Sequence, residues 1–406
     1  MVINNKKNPK KSLKIIIAIL FFCSVSYVVY MFSFPFLVNT FLADKDFDIK
    51  DEKINNKEKD KELPKEPEEV FPKVYDISII MAGDALFHEA VYYDGYKNDK
   101  FDFKPMLSLI KPIVSKHELA FYNQETILGG REIGLSTYPT FNSPQEVGDA
   151  FIDAGFNIVS LANNHTLDRG EQAIINSSKY WNKTDALFSG SAASVEEREK
   201  VDIREVNKVK YTMLAYTTTT NGIYRKKDYF VNIYDPEIVK KDIEKVRDQV
   251  DVLLVSMHWG NEYTHVPSSS QKSIATYLAS LGVDIIIGHH PHVVQPIEYI
   301  NNTLVIYSLG NIISAQVGIE RLTGLLVSLD IQKVVEKEGT KVIYGDPTAE
   351  LIYTYSVKNV GRTNFKIYPY TMLNNKLLPN YKEYYKNFMN IVKSRSDRVK
   401  GVPLEG

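Results

Sequence analysis

From residue 70 onward, short continuous apolar runs alternate with amphipathic stretches of helical period. A continuous apolar run predicts a strand buried on both faces, because a strand with one wet face would alternate apolar and polar residues. Helices between such strands would cover both faces of a sheet, so the pattern predicts an α/β fold. The predicted strands are residues 76–82, 157–161, 209–216, 252–257, 283–287, 304–307 and 324–331. The predicted helices are residues 144–154, 170–182, 236–249, 268–281 and 381–392.

The composition allows a large core and excludes several classes of protein. The 406 residues are 44% hydrophobic and 24% charged, which excludes a disordered or collagen-like chain. The formal net charge of -1 provides no basic excess, so we expect no nucleic-acid partner. Cys23 is the single cysteine, which rules out an intrachain disulfide. The chain also lacks the G-x-S-x-G, Walker A and G-x-G-x-x-G motifs that are typical of serine hydrolases, P-loop NTPases and dinucleotide enzymes.

The amino end has the features of a membrane anchor. Five lysines precede residue 15, and residues 15–43 contain no charge, a length sufficient for a helix across a hydrocarbon core of roughly 30 Å. The flanking charges predict a single-pass protein of the cell membrane, with a cytoplasmic segment 1–14, a transmembrane anchor 15–41 and an extracellular remainder. A cleaved signal peptide is the alternative, but no A-x-A site follows the run. The charged residues 42–72 predict a solvated tether to a domain over 73–345, which 346–406 extends.

Polar residues that can bind metal or move protons follow the apolar runs. Because ligands of open α/β sheets bind beyond the carboxyl ends of the strands, residues far apart in the sequence can meet at one point there. The motifs are Gly83-Asp84 with His88, Asn123-Gln124-Glu125, Asn163-Asn164-His165, His258-Trp259-Gly260 and Gly288-His289-His290-Pro291-His292.

These motifs contain six of the eight histidines. Histidine, acid and asparagine side chains form a mixed nitrogen and oxygen shell that suits zinc, manganese or iron, and the absence of cysteine disfavours a structural zinc site. Each motif alone also has a structural interpretation. Gly83-Asp84 is typical of a turn, and Asn164 of a helix-capping loop. Asn142, after a glycine-rich loop, marks either a helix start or a residue facing the crevice.

Taken in order, and followed by Tyr307-Ser308-Leu309-Gly310-Asn311, these motifs resemble the CapA/PgsA poly-gamma-glutamate capsule biosynthesis family. The resemblance covers residues 75–329. That family is similar to the calcineurin-like metallophosphatases. The resemblance therefore implies a metallophosphatase-like two-sheet sandwich flanked by helices, here preceded by one transmembrane helix.

The resemblance also implies roles for individual residues, carried over position by position. Asp84, Glu125, Asn164, His258, His290 and His292 match the metal shell, for one or two divalent ions of manganese, iron or zinc. His165 matches the proton donor or charge stabiliser. His88, Asn123, Asn142, His289 and Asn311 are expected to line the site, with His289 an alternative to His290 as a ligand. The chain departs from the phosphatase pattern because no histidine lies two residues after Asp84, and because Glu125 replaces an aspartate.

Three functions follow from the resemblance. The first is a metal-dependent phosphoesterase-like or other hydrolase that faces outward and serves capsule biosynthesis. The second is a non-catalytic accessory subunit that binds an anionic polymer such as poly-gamma-glutamate beside the membrane subunits of a capsule polymer synthase. The third is a surface phosphoesterase unrelated to capsule. The sequence leaves open whether the protein is an enzyme.

Overall fold

The computed structural model describes residues 70–359 and 361–404. The predicted basic segment, the anchor and most of the tether therefore lie outside the described residues. Within the described ranges, no helix combines the length and apolar character needed to cross a bilayer. Helices in these ranges are α1 Glu89–Asp94, α2 Lys104–Leu107, α3 Lys111–Val114, α4 Glu146–Asp153, α5 Gly170–Trp181, α6 Val195–Glu199, α7 Pro236–Val246, α8 Ser269–Ser280, α9 Ile319–Leu322 and α10 Tyr381–Lys393.

The strands of the same ranges form two large sheets and one small hairpin. They are β1 Lys73–Leu86, β2 Tyr96–Lys97, β3 Lys100–Phe101, β4 Leu119–Asn123, β5 Ile158–Ser160, β6 Leu187–Ser189, β7 Arg204–Val206, β8 Val209–Thr217, β9 Val252–His258, β10 Ile285–His289, β11 Ile297–Ile300, β12 Thr303–Ile306, β13 Asn311–Ser314, β14 Thr323–Glu336, β15 Gly339–Tyr344, β16 Thr348–Asn359, β17 Gly361–Pro369 and β18 Lys400–Gly401.

Each large sheet contains a block of parallel strands next to antiparallel ones. The first follows the order β17-β16-β14-β1-β4-β5-β6, with β13, β15 and β18 attached at its side, and β1, β4, β5 and β6 are parallel. The second follows the order β11-β12-β10-β9-β8-β7, with β8, β9, β10 and β12 parallel. Mixed sheets with helices between their strands confirm the predicted α/β class and fit a metallophosphatase-like fold.

Side chains of the parallel strands alternate between two apolar layers, as the period of a strand requires. On β9, Leu254 points into the core between the sheets, whereas Leu253 and Val255 pack under the helices outside. On β1, Ile79 faces the central core and Ile80 the outer layer of the first sheet. Because both faces are buried, these strands read as continuous apolar runs. Truncation of one such side chain to alanine costs about 2–5 kcal/mol.

The carboxyl-terminal residues are more regular than their sequence indicates. The sequence pattern after Asp346 is less regular and predicts a helix over 381–392, where α10 Tyr381–Lys393 lies. However, β16 and β17 form a long antiparallel pair that extends the first sheet beyond β14. Many of their side chains are half-buried tyrosine, threonine and lysine, so the apolar signal of a central strand is absent.

One close backbone approach fixes the end of β1. A Cβ atom at Gly83 would lie 1.8 Å from the carbonyl oxygen of Gly310, so only glycine fits at position 83. The next residue, Asp84, donates its backbone N–H to the same carbonyl at 2.9 Å. This contact brings the start of β13 beside the end of β1 and directs Asp84 toward the ends of β4, β9 and β10.

Candidate metal centre

Asp84 links three segments at the carboxyl edge of the sheets. Its side chain is fully buried at the end of β1. Oδ1 accepts a hydrogen bond from Nδ2 of Asn123 at 2.8 Å, and Oδ2 accepts one from the backbone N–H of His290 at 3.2 Å. Nδ1 of His292 lies 3.3 Å from Oδ2. The carboxylate therefore ties β1 and β4 to the loop after β10.

Glu125 follows β4 and is also fully buried. Its Oε1 lies 3.6 Å from Nε2 of His258 and 3.6 Å from Nε2 of His292. Within the described part of the chain, neither of its carboxylate oxygens has a hydrogen-bond partner. Burial of an ionised carboxylate without such partners is strongly unfavourable, so the site favours a positive charge beside Glu125.

Glu125, His290 and His292 each offer one ligand atom, and these three atoms all lie within 4.8 Å of one another. All three side chains are buried. Nδ1 of His290 has no hydrogen-bond partner among the described residues. Unpartnered carboxylate oxygens beside unpartnered imidazole nitrogens are suitable ligands for zinc, manganese or iron. The donor set therefore fits a divalent cation.

The loop that carries these histidines is backbone-strained. His290 has φ +94 and His292 has φ +57, in the left-handed region that costs a non-glycine residue on the order of 1 kcal/mol or more. The hydrogen bond from His290 N–H to Asp84 and a 3.0 Å contact between His292 Nδ1 and Asn311 Oδ1 hold the loop in place. The result is two imidazole rings whose centroids lie 6.0 Å apart beside Glu125.

Burial separates the ionisation states of the four histidines around Asp84 and Glu125. It lowers the pKa of His289 and of His290 to about 4 and the pKa of His258 well below its ordinary value, with repulsion from His290 adding to the shift at His258. These rings are therefore neutral at pH 7, which is the form that binds metal.

His292 behaves differently from its neighbours. Burial acts to lower its pKa, but the charges of Glu125 and Asp84 outweigh burial and raise that pKa to about 9. Burial raises the pKa of Glu125 well above its ordinary value. It acts in the same direction on Asp84, but the hydrogen bond and charge of His292 prevail and lower the pKa of that residue. A proton on His292 thus places a positive charge beside the two buried acids. A bound cation would supply the same positive charge.

His258, Asn164 and His289 complete the group around the acids. Nε2 of His258 lies 2.9 Å from Oδ1 of Asn164, and the His258 and His290 ring centroids are 4.7 Å apart. His289 stacks on the Phe121 ring at 5.3 Å, and Nδ1 lies 3.7 Å from Oδ1 of Asp84. Neither ring nitrogen of His289 has a hydrogen-bond partner in the described ranges. The structure thus brings all six predicted ligands, with His289, into one connected set of contacts.

His165 stands beside this group and has a buried acid as its partner. Its Nδ1 lies 2.7 Å from Oδ2 of Asp168, which also accepts the backbone N–H of Phe141 at 2.6 Å. The edge of the imidazole contacts the Phe141 ring at a centroid distance of 4.7 Å. Asp168 therefore fixes the orientation of the ring and leaves Nε2 of His165 for contact with a ligand.

Among the described contacts, two of the predicted lining residues touch proposed ligands, Asn123 and Asn311, whereas His88 and Asn142 pack against other residues. Asn123 contacts Asp84 and lies 3.5 Å from Nδ1 of His258, and Asn311 contacts His292. His88 packs its ring edge against Phe141, and burial lowers its pKa to about 4. Asn142 instead donates both amide hydrogens to loop carbonyls, at 2.9 Å to Gly130 and 2.8 Å to Gly134. Among the described contacts it touches none of the six predicted ligands.

Several residues near the site were not identified from the sequence. Asp168 follows His165 by three residues, and this H-x-x-D spacing was the available signal. Asn221 accepts from Asn164 at 3.2 Å, and the Tyr263 ring lies 6.1 Å from that of His292. Both are loop residues that no strand pattern predicts.

Comparisons with known proteins show which proteins this chain is similar to. The family described as "Bacterial capsule synthesis protein PGA_cap" matches residues 78–316. The PGA biosynthesis protein CapA of Bacillus subtilis (strain 168) is 32% identical over 184 residues, which cover 45% of this chain and 48% of that protein. The capsule biosynthesis protein CapA of Bacillus anthracis is 30% identical over 181 residues, which cover 43% and 44% of the two chains.

A third relative is described as a probable polyglutamine synthesis accessory protein of Mycobacterium tuberculosis (strain ATCC 25618 / H37Rv). It is 30% identical over 69 residues, which cover 17% of this chain and 18% of that protein. The chain therefore matches less than half the length of each of these relatives.

Proposed function

Because the chain belongs to the bacterial capsule synthesis protein family PGA_cap, we propose that it serves the synthesis of poly-gamma-glutamate or a related anionic capsule polymer through a divalent-cation site. The family match and the two Bacillus relatives support the capsule role. The buried cluster of Glu125, His290 and His292 carries the proposal of a cation, because among the described residues both Glu125 oxygens and Nδ1 of His290 have no hydrogen-bond partner.

The proposed ligands are Asp84, Glu125, Asn164, His258, His290 and His292. A divalent manganese, iron or zinc ion at such a site supplies Lewis acidity toward an oxygen of the bound substrate. Within the chain, Asn311 orients His292, and Asn123 orients Asp84. These hydrogen bonds hold the ligand side chains in fixed positions, which is how outer partners raise metal affinity.

The proposed chemistry is hydrolysis of a phosphoester, or of an amide bond in a polyglutamate chain. Such a reaction adds water across the bond: the water oxygen bonds to phosphorus or to the carbonyl carbon, and the departing oxygen or nitrogen takes a proton. We assign this donation to Nε2 of His165. Asp168 holds the ring by its other nitrogen, as an orienting carboxylate does in catalytic triads. The burial of the site, with His165 only 6% exposed, limits the access of bulk water.

Metal content and turnover of the full-length protein test this proposal. We expect the wild type to contain at least one equivalent of a divalent metal by elemental analysis. His290→Ala should lose most of the metal together with hydrolysis of a phosphoester or polyglutamate panel. His117→Ala is the matched control, because this histidine contacts Ser78 outside the cluster. Metal-free wild type with full hydrolysis contradicts the metal site.

A non-catalytic role is the second candidate function. The name of the Mycobacterium tuberculosis relative, an accessory protein of polyglutamine synthesis, favours it. In this role the domain binds the anionic polymer beside the membrane subunits of a capsule polymer synthase. Normal capsule output in a His290→Ala strain, with polymer binding retained, would favour this candidate over hydrolysis.

The location of the protein is part of the proposal. We propose that residues 15–41 anchor the chain in the cell membrane with the domain outside, and the five lysines before an uncharged run of this length support it. Protease added to intact protoplasts should digest the domain of the wild-type protein. Protection of the domain, or its recovery in the soluble fraction, contradicts the anchor.

A further inference from the structure

Arg321 lies beside the candidate metal centre and, among the described residues, has no carboxylate partner. All ten arginines of the chain lie in the described ranges. Seven pair with carboxylates: Arg131, Arg198, Arg204, Arg225, Arg247, Arg395 and Arg398. Arg169 and Arg362 donate to backbone carbonyls. Among the described residues, the Arg321 guanidinium has neither kind of acceptor, and it lies over the Tyr263 ring at 4.8 Å.

Tyr263 connects this guanidinium to the proposed ligands. Its ring centroid lies 6.1 Å from that of His292, and its backbone N–H donates to the carbonyl of Pro291 at 2.8 Å. The residue has φ +63, a strained conformation for tyrosine that this hydrogen bond holds. The half-exposed ring thus lies close both to the loop of the histidine cluster and to the guanidinium of Arg321.

A residue of the candidate metal centre also fixes the backbone of Arg321. Nδ2 of Asn311 donates to the carbonyl of Arg321 at 2.8 Å and to Oε1 of Gln316 at 3.0 Å, while Oδ1 contacts His292. Gln316 in turn donates to the hydroxyl of Tyr263 at 3.3 Å. The backbone position of Arg321 is therefore set by the residues that orient a proposed ligand, and no carboxylate of the described residues pairs with its guanidinium.

We propose that Arg321 and Tyr263 form the binding site for an oxyanion of the substrate, a carboxylate or a phosphate, at the rim of the metal centre. A planar guanidinium binds either group through two parallel hydrogen bonds, and stacking on an aromatic ring leaves those donors available. This inference rests on the proposed function for the group it recognises.

The test measures equilibrium binding of two probes to the full-length protein: poly-gamma-glutamate of defined length and inorganic phosphate. We expect Arg321→Gln to weaken binding of at least one probe about ten-fold or more, because one charge-assisted bidentate contact is lost. Arg321→Lys should recover part of it. The affected probe identifies the source of the oxyanion. Arg398→Gln is the matched control, since Arg398 lies over Tyr299 at 4.0 Å but pairs with Asp346.

Several results overturn this assignment. They are unchanged binding in Arg321→Gln, equal losses in Arg321→Gln and Arg398→Gln, and no binding of either probe by the wild type. A loss of bound metal in Arg321→Gln also overturns it, because the residue would then act through Asn311 and His292. This binding test is independent of the metal analysis that tests the proposed function. A wild type without metal defeats the metal centre, whereas the difference in polymer binding between wild type and Arg321→Gln still tests Arg321.

Discussion

The ionisable side chains at the amino ends of β9 and β10 differ in pairing and burial from those at the carboxyl ends. At the amino ends, Asp284 accepts from Arg247 at 2.6 Å and from the backbone of Leu253 at 2.7 Å. Asp251 accepts from the backbone of Lys210 and from the ammonium of Lys333, both at 2.7 Å. Each of these carboxylates has a cation and a backbone donor within the chain.

At the carboxyl ends, the side chains are more deeply buried and less well paired. His258 ends β9 and His289 ends β10, and Glu125 lies beside them without a hydrogen-bond partner among the described residues. The acids at the amino ends are paired within the chain and contribute to stability. At the carboxyl ends, buried polar atoms have no partner among the described residues, which is the arrangement that the proposed cation site needs.

Metal addition should produce the largest effect. If it has no effect on stability, the proposed difference between the two ends of the strands is wrong. A cation that binds the folded state at a thousand times its Kd stabilises that state by about 4 kcal/mol. We therefore expect manganese to raise the Tm of chelator-treated protein by several degrees, measured by thermal unfolding. His290→Ala should abolish the rise, and His117→Ala should keep it. An equal rise in wild type and His290→Ala would show that the metal binds elsewhere.

The amino ends should respond to mutation of their acids and not to metal. Asp284→Ala removes the partner of Arg247 and the acceptor of the Leu253 N–H, so we expect a loss of about 3 kcal/mol in the free energy of unfolding. Urea titration measures it, and bound metal should stay unchanged. Asp228→Ala is the control because Asp228 is exposed in its pair with Arg225, and it should cost less than about 1 kcal/mol. Loss of metal in Asp284→Ala contradicts the separation of the two ends.

Asp168 is an intermediate case near the carboxyl edge: its Oδ2 has a backbone donor and an imidazole beside it, while its Oδ1 has no partner among the described residues. Its carboxylate accepts from Phe141 and contacts His165. Asp168→Asn should therefore lower the free energy of unfolding by about 1–2 kcal/mol and leave the metal content unchanged. Denaturation and elemental analysis of the same preparation measure both. If Asp168→Asn instead lost metal without loss of stability, Asp168 would act on the proposed metal centre, as Glu125 is proposed to do.

The sequence predicted the parallel strands well because burial on both faces leaves a continuous apolar run. The run 252–257 lies within β9 Val252–His258, and the histidine after it stands at the strand's end. The same signal cannot tell one doubly covered sheet from two sheets packed together, since every strand is buried in both cases. The expectation of two sheets came from the family resemblance alone.

Other parts of the site carry no local signal. Tyr263 and Arg321 lie more than fifty residues apart, on a loop and on the short helix α9, and they meet through tertiary packing. Asn142 shows a related limit, because its position after a glycine-rich loop indicated either a helix start or a residue facing the crevice. Its amide donates to two loop carbonyls. A residue type that serves both as a site residue and as a loop tie cannot be assigned by spacing alone.

Glu125→Gln should have the smallest effect on the metal-free protein, and it decides whether the carboxyl end is incomplete. Glutamine keeps the shape but removes the ionisable group, whose oxygens have no hydrogen-bond partner among the described residues, so relief of desolvation and loss of attraction to His292 nearly cancel. We expect the free energy of unfolding without metal to change by less than about 1 kcal/mol. Stabilisation by manganese should fall sharply in the same variant. A large loss of stability without metal would instead place Glu125 with Asp284, as an acid that the chain itself satisfies.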